Sequence, residues 1–186
     1  MNLKFLALFV MIITFQARGQ SSKTFEVFFH TGFNSVNLDT ENFDVISNRF
    51  SFGWYYRSNI NLNVGYSLVL GPAGKSNFSG YDFGPKYFFY NHFATQGWNN
   101  EGTSYAARPK IAPYVQPLFA QRSLQLDNGD VNFTGLGLKT GVAWNFKRKY
   151  LLDFALEYLS LSGPLGGSGT LSYTSTQLSV GIGYPF

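Results

Sequence analysis

The chain has 186 residues and no cysteine, with 14 Lys+Arg against 10 Asp+Glu for a formal charge of +4. Only 13% of residues are charged while 19% are aromatic, which excludes a disordered chain, charge-rich and aromatic-poor by nature. A disulfide scaffold and a cysteine-held metal are excluded with the cysteines, and no nucleic-acid partner is expected, because the longest basic run is Lys147-Arg148-Lys149.

In chain order, the first segment is a targeting sequence. Lys4 precedes an apolar run from Phe5 to Phe15, and Ala17-Arg18-Gly19 places small residues where a signal peptidase reads. The run is too short to span a bilayer as a helix. Residues 1–19 are therefore expected to be a cleaved signal peptide, and residues 20–186 one exported domain. Removing Lys4 and Arg18 lowers the charge from +4 to +2.

Beyond residue 20 the apolar residues repeat with period two, not 3.6. The first apolar phase is Phe25, Val27, Phe29, Thr31 and Phe33, and the second is Phe50, Phe52, Trp54 and Tyr56. The third runs Ile60, Leu62, Val64, Tyr66, Leu68 and Leu70, and the fourth Tyr81, Phe83, Pro85, Tyr87 and Phe89. The fifth is Ile111, Pro113, Val115, Pro117 and Phe119; its prolines cannot donate to a ladder, so this strand is expected to be short or kinked. The sixth is Leu136, Leu138, Thr140, Val142, Trp144 and Phe146, and the seventh Tyr150, Leu152, Phe154, Leu156 and Tyr158. The last is Leu178, Val180, Ile182, Tyr184 and Phe186. Arg57-Ser58-Asn59 and Lys147-Arg148-Lys149 read as tight links. Gly71-Pro72-Ala73-Gly74, Asp127-Asn128-Gly129-Asp130 and Gly163-Pro164-Leu165-Gly166-Gly167 read as longer polar ones. Eight strands of about ten residues suit a tilted crossing of a bilayer.

Alternation fits a soluble barrel or its inverse, and the charges decide between them. Glu26, Arg49, Arg57, Asp82, Lys86, Arg122, Lys139, Asp153 and Glu157 all fall in the phase opposite the large apolar residues. That opposite phase also holds Gly32, Gly53, Gly65, Gly80, Gly84, Gly137, Gly141, Gly181 and Gly183. An eight-stranded barrel has room inside only for side chains, so small and charged residues belong in the lumen and aromatics on the outside. Trp54, Tyr56, Phe89, Trp144, Phe146, Tyr150, Tyr184 and Phe186 are expected to form interfacial girdles. The fold class is all-β: an eight-stranded antiparallel up-and-down transmembrane β-barrel. Four acids and five bases in the lumen imply an ion-pair plug, supported by Tyr114, Gln116 and Asn63, since a charge removed from water needs a partner. A narrow hydrated pore is the competing reading.

The last eight residues, Ser179-Val180-Gly181-Ile182-Gly183-Tyr184-Pro185-Phe186, resemble the C-terminal β-signal of outer-membrane barrels. The resemblance implies that the barrel-assembly machinery binds Gly181, Tyr184 and Phe186. Tyr81 to Tyr90 and Ala112-Pro113-Tyr114-Val115-Gln116 are similar to the fourth and fifth strands of the OmpA/OmpX-like porin family, in the version with a single barrel domain. The resemblance implies location in the bacterial outer membrane, with outer-membrane lipid as surroundings. It puts the long segment Asn91 to Lys110 in the periplasm, where turns are normally short. The outward loops are expected at Val36–Asp44, Gly71–Asn77, Ser123–Asp130 and Gly163–Leu171.

Some eight-stranded barrels resemble serine-type hydrolases that act on lipid, using His, Ser and an acid near the outer leaflet. The two histidines here, His30 in the lumen phase and His92 at the periplasmic end, do not face that leaflet. Asp127-Asn128-Gly129-Asp130 reads as a turn, without the later ligands of a calcium loop. No catalytic residue, cofactor or metal is expected, and the sequence names no surface ligand. A soluble lipid-binding barrel is the third alternative.

Overall fold

The computed structural model describes residues 25–39, 41–57, 59–70, 78–89, 98–100, 103–105, 111–126, 129–146, 150–165 and 169–186. The expected signal and its cleavage point lie outside the described residues, as do His92 and the segment Gly71–Asn77. The strands are β1 (Phe25–Leu38), β2 (Glu41–Arg57), β3 (Ile60–Leu70), β4 (Phe78–Phe88), β5 (Trp98–Asn100), β6 (Thr103–Tyr105), β7 (Ile111–Leu126), β8 (Gly129–Phe146), β9 (Tyr150–Leu165) and β10 (Gly169–Pro185).

Eight of these close into one antiparallel barrel in the order β1-β10-β9-β8-β7-β4-β3-β2. Closure runs from Glu26↔Pro185 to Leu38↔Tyr173, and at its foot Phe25 and Phe186 exchange backbone hydrogen bonds of 3.0 and 2.9 Å. No sheet edge is left for hydrocarbon to meet. β5 and β6 form a separate two-stranded ribbon, Trp98↔Tyr105 to Asn100↔Thr103, within the long connection. That connection leaves β4 at the end of the barrel that carries both described chain ends, hereafter the terminal end; the opposite end is the distal one.

The strands are strongly staggered. Phe29 lies beside Phe50, then Tyr66, Tyr81, Gln121, Thr134, Ser162 and Ser172 in successive strands. The Ser172 carbonyl accepts from the backbone N–H of Asp39, at 3.1 Å, so one circuit returns to β1 at position 39 instead of 29. A ten-residue stagger over eight strands corresponds to a tilt of about 40°. Asp39 turns the chain with φ 51°, a left-handed conformation that Asp tolerates, and its carboxylate accepts from Ser172 N–H at 3.0 Å.

β7 is neither short nor kinked: it runs 16 residues, and Pro113 and Pro117 lie in register with Val142 and Leu138 of β8. The cost appears on the other side. The β4–β7 ladder lapses between Phe83↔Phe119 and Tyr87↔Val115, where prolines on both strands lack a donor. The Gln116 side chain compensates, donating to the Gly84 carbonyl at 3.3 Å from inside.

Most strands are much longer than ten residues, and three expected loops are instead largely ladder. Val36–Asp44 is paired through Leu38↔Glu41, Ser123–Asp130 through Leu126↔Gly129, and Gly163–Leu171 through Leu165↔Gly169. The reason is a reversal of polarity along single strands. On β9 the outward residues Tyr150, Leu152, Phe154, Leu156 and Tyr158 are followed by Ser160 and Ser162, while the inward ones pass from Asp153 and Glu157 to Leu159 and Leu161. β10 switches between Leu178 and Thr176, β1 between Phe33 and Ser35, β7 between Phe119 and Gln121, and β8 between Leu136 and Thr134. Below this line the barrel is greasy outside and ionic inside. Above it the wall is polar outside, and Val36, Val45, Val69, Phe78, Leu124, Phe133, Leu161 and Tyr173 fill the bore.

The outward apolar belt spans nine residues on β9, Tyr150 to Tyr158, or about 21–23 Å of height at that rise and tilt, close to the thickness of an outer-membrane apolar band. Its terminal edge carries Trp54, Tyr56, Phe89, Phe146, Tyr150, Tyr184 and Phe186, all 37–59% exposed, which is the expected girdle on one side except that Trp144 is half-buried, with its ring centre 5.7 Å from that of Phe146. Tyr66, Tyr81, Phe119 and Tyr158 mark the other.

A charge on the belt should cost far more than one above the line. Val64→Arg, mid-belt between Phe52 and Phe83, is expected to lose about 2–4 kcal/mol. Ser160→Lys, outward but beyond the switch, should stay within about 0.5 kcal/mol. Denaturant unfolding in lipid vesicles measures both.

Candidate functional site: the lumen

Eight of the nine sequence-predicted charges line the bore. Glu26, Arg49, Asp82, Lys86, Arg122, Lys139, Asp153 and Glu157 are each 3% exposed or less, while Leu138 and Ile182 in the alternate phase are 51% and 53% exposed. Arg57 is the exception, contrary to the sequence expectation: it is exposed at the terminal rim, with its guanidinium carbon 5.7 Å from the Tyr56 ring centre. A bulge between Tyr55 and Arg57 shifts the β2–β3 register and carries Arg57 out of the lumen phase. The bore then holds four acids and four bases among the described residues, a balance the sequence count of four and five did not have.

The charges form two clusters. In the first, Asp82 on β4 takes two hydrogen bonds from Arg49 Nε, at 3.0 and 3.1 Å, and another from Arg49 Nη2. Arg122 Nη2 reaches the second carboxylate oxygen at 3.4 Å, and Ser67 Oγ donates to it at the same distance. Asn63 accepts from Arg49 at 2.8 Å, and the other end of the Arg122 fork donates to the carbonyls of Tyr81 and Gln121 at 3.1 and 3.0 Å. One carboxylate thus holds two guanidinium groups, and the charge-assisted bonds supply what water would have supplied.

The second cluster lies nearer the terminal end. Asp153 Oδ2 is 2.8 Å from His30 Nε2, accepts from Tyr114 Oη at 2.8 Å and faces Lys86 Nζ at 3.7 Å. The Lys86 ammonium sits in an aromatic box, 4.0, 4.9 and 5.2 Å from the ring centres of Tyr114, Phe28 and Phe88. Glu26 finds a hydroxyl instead of a base, accepting from Tyr55 at 2.6 Å. Lys139 and Glu157 are opposite each other across the β8–β9 ladder, and no direct ion pair joins them. Of the three expected supporting residues, Tyr114 and Asn63 touch the charges, and Gln116 serves the backbone.

The glycines make the space for these groups. The rings of His30, Phe28 and Tyr114 lie flat against Gly181, Gly183 and Gly141 of the next strand, and the Arg49 guanidinium lies against Gly65. A Cβ at any of the four would overlap the group above it. Sequence reasoning saw small residues inside but missed which large residues they seat. Register supplies that, because His30↔Gly181, Phe28↔Gly183 and Tyr114↔Gly141 are direct cross-strand pairs.

The lumen is therefore layered. Tyr55, Phe88, Ala112, Tyr114, Ala143 and Ala155 make an apolar and aromatic floor. The two ionic clusters lie above it. The apolar group around Phe78, Phe133 and Tyr173 roofs them, with Leu38, Phe43, Val131 and Leu171 packed over it at the distal mouth.

No protein-family model and no curated relative matches the sequence. Solved structures share its fold. The crystal structure of Neisserial surface protein A is similar with a TM-score of 0.62 and 19% identity, over 87% of this chain and 97% of that one. The N-terminal β-barrel domain of Pseudomonas aeruginosa OprF has a TM-score of 0.51 and 14% identity, over 86% and 97%. Outer membrane protein OprG from Pseudomonas aeruginosa has a TM-score of 0.50 and 11% identity, over 88% and 97%. The eight-stranded barrel implied by the OmpA/OmpX resemblance is the fold found, and it is an outer-membrane barrel fold.

Asp82→Ala should leave Arg49 and Arg122 buried without their carboxylate and destabilise the barrel by about 3–5 kcal/mol. Arg57→Ala, at the rim, should change stability by less than about 0.5 kcal/mol. Urea titration in detergent micelles separates the two.

Proposed function

We propose that the protein is an exported structural barrel of the bacterial outer membrane, non-conducting and non-enzymatic, which offers its distal wall as a surface for interaction. The single observation that carries this is the layered lumen: eight buried charges between an apolar roof and an aromatic floor. A hydrated path would have to cross both apolar layers, and in the ionic layer between them Asp82 and Asp153 are held by protein donors. The membrane reading rests on the outward apolar belt and on the shared fold, with the signal-like leader in support. Outer-membrane lipid is then the partner of the belt. The C-terminal motif fits a role in assembly, with Tyr184 and Phe186 outward at the terminal rim, 47% and 42% exposed, where a docking surface could reach them.

His30, Asp153 and Tyr114 have the chemical types of a hydrolytic relay, but they are enclosed beneath the roof. The His30 ring is stacked between Phe28 and Gly181, and its Nε2 is engaged by Asp153. A substrate carbonyl has no approach, and the group is read as a structural link between β1, β7 and β9.

Reconstitution into planar bilayers is expected to give no steady single-channel current, and a stable open level would replace this reading with the narrow pore. Fractionation without detergent should leave the protein with the membranes. Recovery in the aqueous phase would remove the envelope assignment itself.

A further inference from the structure

One groove on the outside of the barrel belongs neither to the lumen nor to the plain apolar belt. It has a volume of about 310 Å³ and is lined by Tyr66, Leu68, Leu70, Ser79, Ser123 and Asp130, with the backbone of Val69 and Phe78 behind. Its position follows from the register. Leu68, Ser79 and Ser123 are successive neighbours across β3, β4 and β7, and the row below them is Tyr66, Tyr81 and Gln121. The two serines form a low floor, because large side chains stand beside them and not on them. Tyr66 and Tyr81, with ring centres 5.0 Å apart, make the bank toward the membrane, and Leu68 and Leu70 make an apolar side. Asp130 closes the polar end from β8 and is exposed.

The groove sits astride the polarity switch, where acyl tails end and headgroups begin. Its lining changes along it: tyrosine faces on the membrane side, two hydroxyls in the floor beside the leucines, and a carboxylate at the distal end. Hydroxyls and a carboxylate suit a ligand rich in hydroxyl donors, and tyrosine faces suit the apolar C–H face of a sugar ring. Within the groove the described ionic side chain is Asp130, a carboxylate that suits a hydroxyl donor better than a phosphate. We propose that this groove binds the sugar headgroup of an outer-leaflet glycolipid, with Ser79, Ser123 and Asp130 accepting or exchanging hydrogen bonds with its hydroxyls and the acyl chains running down past Tyr66 and Leu68. The proposal rests on the membrane reading above and adds to it a preferred lipid.

The test uses the full barrel in nanodiscs that contain equal amounts of a glucosamine-disaccharide lipid, phosphatidylethanolamine and phosphatidylglycerol, followed by native mass spectrometry of the lipid that stays bound. Wild type is expected to retain the glycolipid at least tenfold over either phospholipid. Ser79→Leu with Ser123→Leu, which fills the floor with outward side chains, should abolish that preference, and Asp130→Asn should weaken it several-fold. Heat-dependent gel mobility confirms that each variant is folded. Equal retention of all three lipids by wild type overturns the proposal without any variant. Undiminished preference in a folded S79L/S123L barrel, or in Asp130→Asn, overturns the assigned contacts. A barrel that inserts into the nanodisc yet shows no preference sinks the groove alone, whereas failure to insert sinks the membrane reading beneath it.

Discussion

Hydrocarbon supplies no hydrogen-bond partner, so a backbone that crosses it must satisfy every N–H and C=O from within. In this chain that demand is met by the β1–β10 seam, which starts at the reciprocal Phe25–Phe186 bonds and continues for thirteen paired positions. The ten-residue stagger follows from making that seam meet. Stagger and strand number together fix the tilt and the bore, and the bore is narrow enough that side chains alone fill it. Both the lipid-facing belt and the sealed interior are therefore consequences of one closure.

A narrow bore filled with charge would be costly to hold together if the charges were mobile or wet at intervals. Here each cluster is organised around one carboxylate. Asp82 joins β2, β4 and β7 through Arg49 and Arg122, and Asp153 joins β1, β4, β7 and β9 through His30, Lys86 and Tyr114. Apart from Asp82–Arg122, which reinforces the adjacent β4–β7 pair, these bonds link strands that are not ladder neighbours, which the backbone ladder cannot do. The low dielectric above and below strengthens them. The apolar roof does a second job, because it gives the wall beyond the membrane an ordinary soluble-barrel core. Two opposite packing schemes thus share one set of strands, and the boundary between them is the membrane surface.

That boundary explains what was legible in the sequence and what was not. The belt was legible because Tyr150 to Tyr158 and Leu178 to Phe186 keep one phase and because the charges fall between them. The distal extension was not, because alternation continues through Ser35, Val36, Asn37 and Leu38 with its sign reversed. A template that demands apolar residues on one constant face stops at Phe33 and labels the rest a loop. The lumen charges could be listed from the sequence but not paired, since Arg49 and Asp82 or His30 and Asp153 lie far apart in the chain and meet only across the bore. Arg57 was misplaced for a related reason: a one-residue bulge moves a side chain to the other phase, and nothing in Trp54-Tyr55-Tyr56-Arg57 announces it.

The C-terminal motif shows how a single glycine can answer two requirements. Gly181 fits the pattern read as an assembly signal, and in the folded barrel it is also the seat of the His30 ring on β10. A side chain there would push the imidazole off Asp153 and strain the closing seam itself, whatever became of recognition. Tyr184 and Phe186 differ from it in that they point outward, and Phe186 packs on Phe25 where the barrel closes. Outward aromatics and inward glycines thus occupy opposite faces of the strand that closes the barrel.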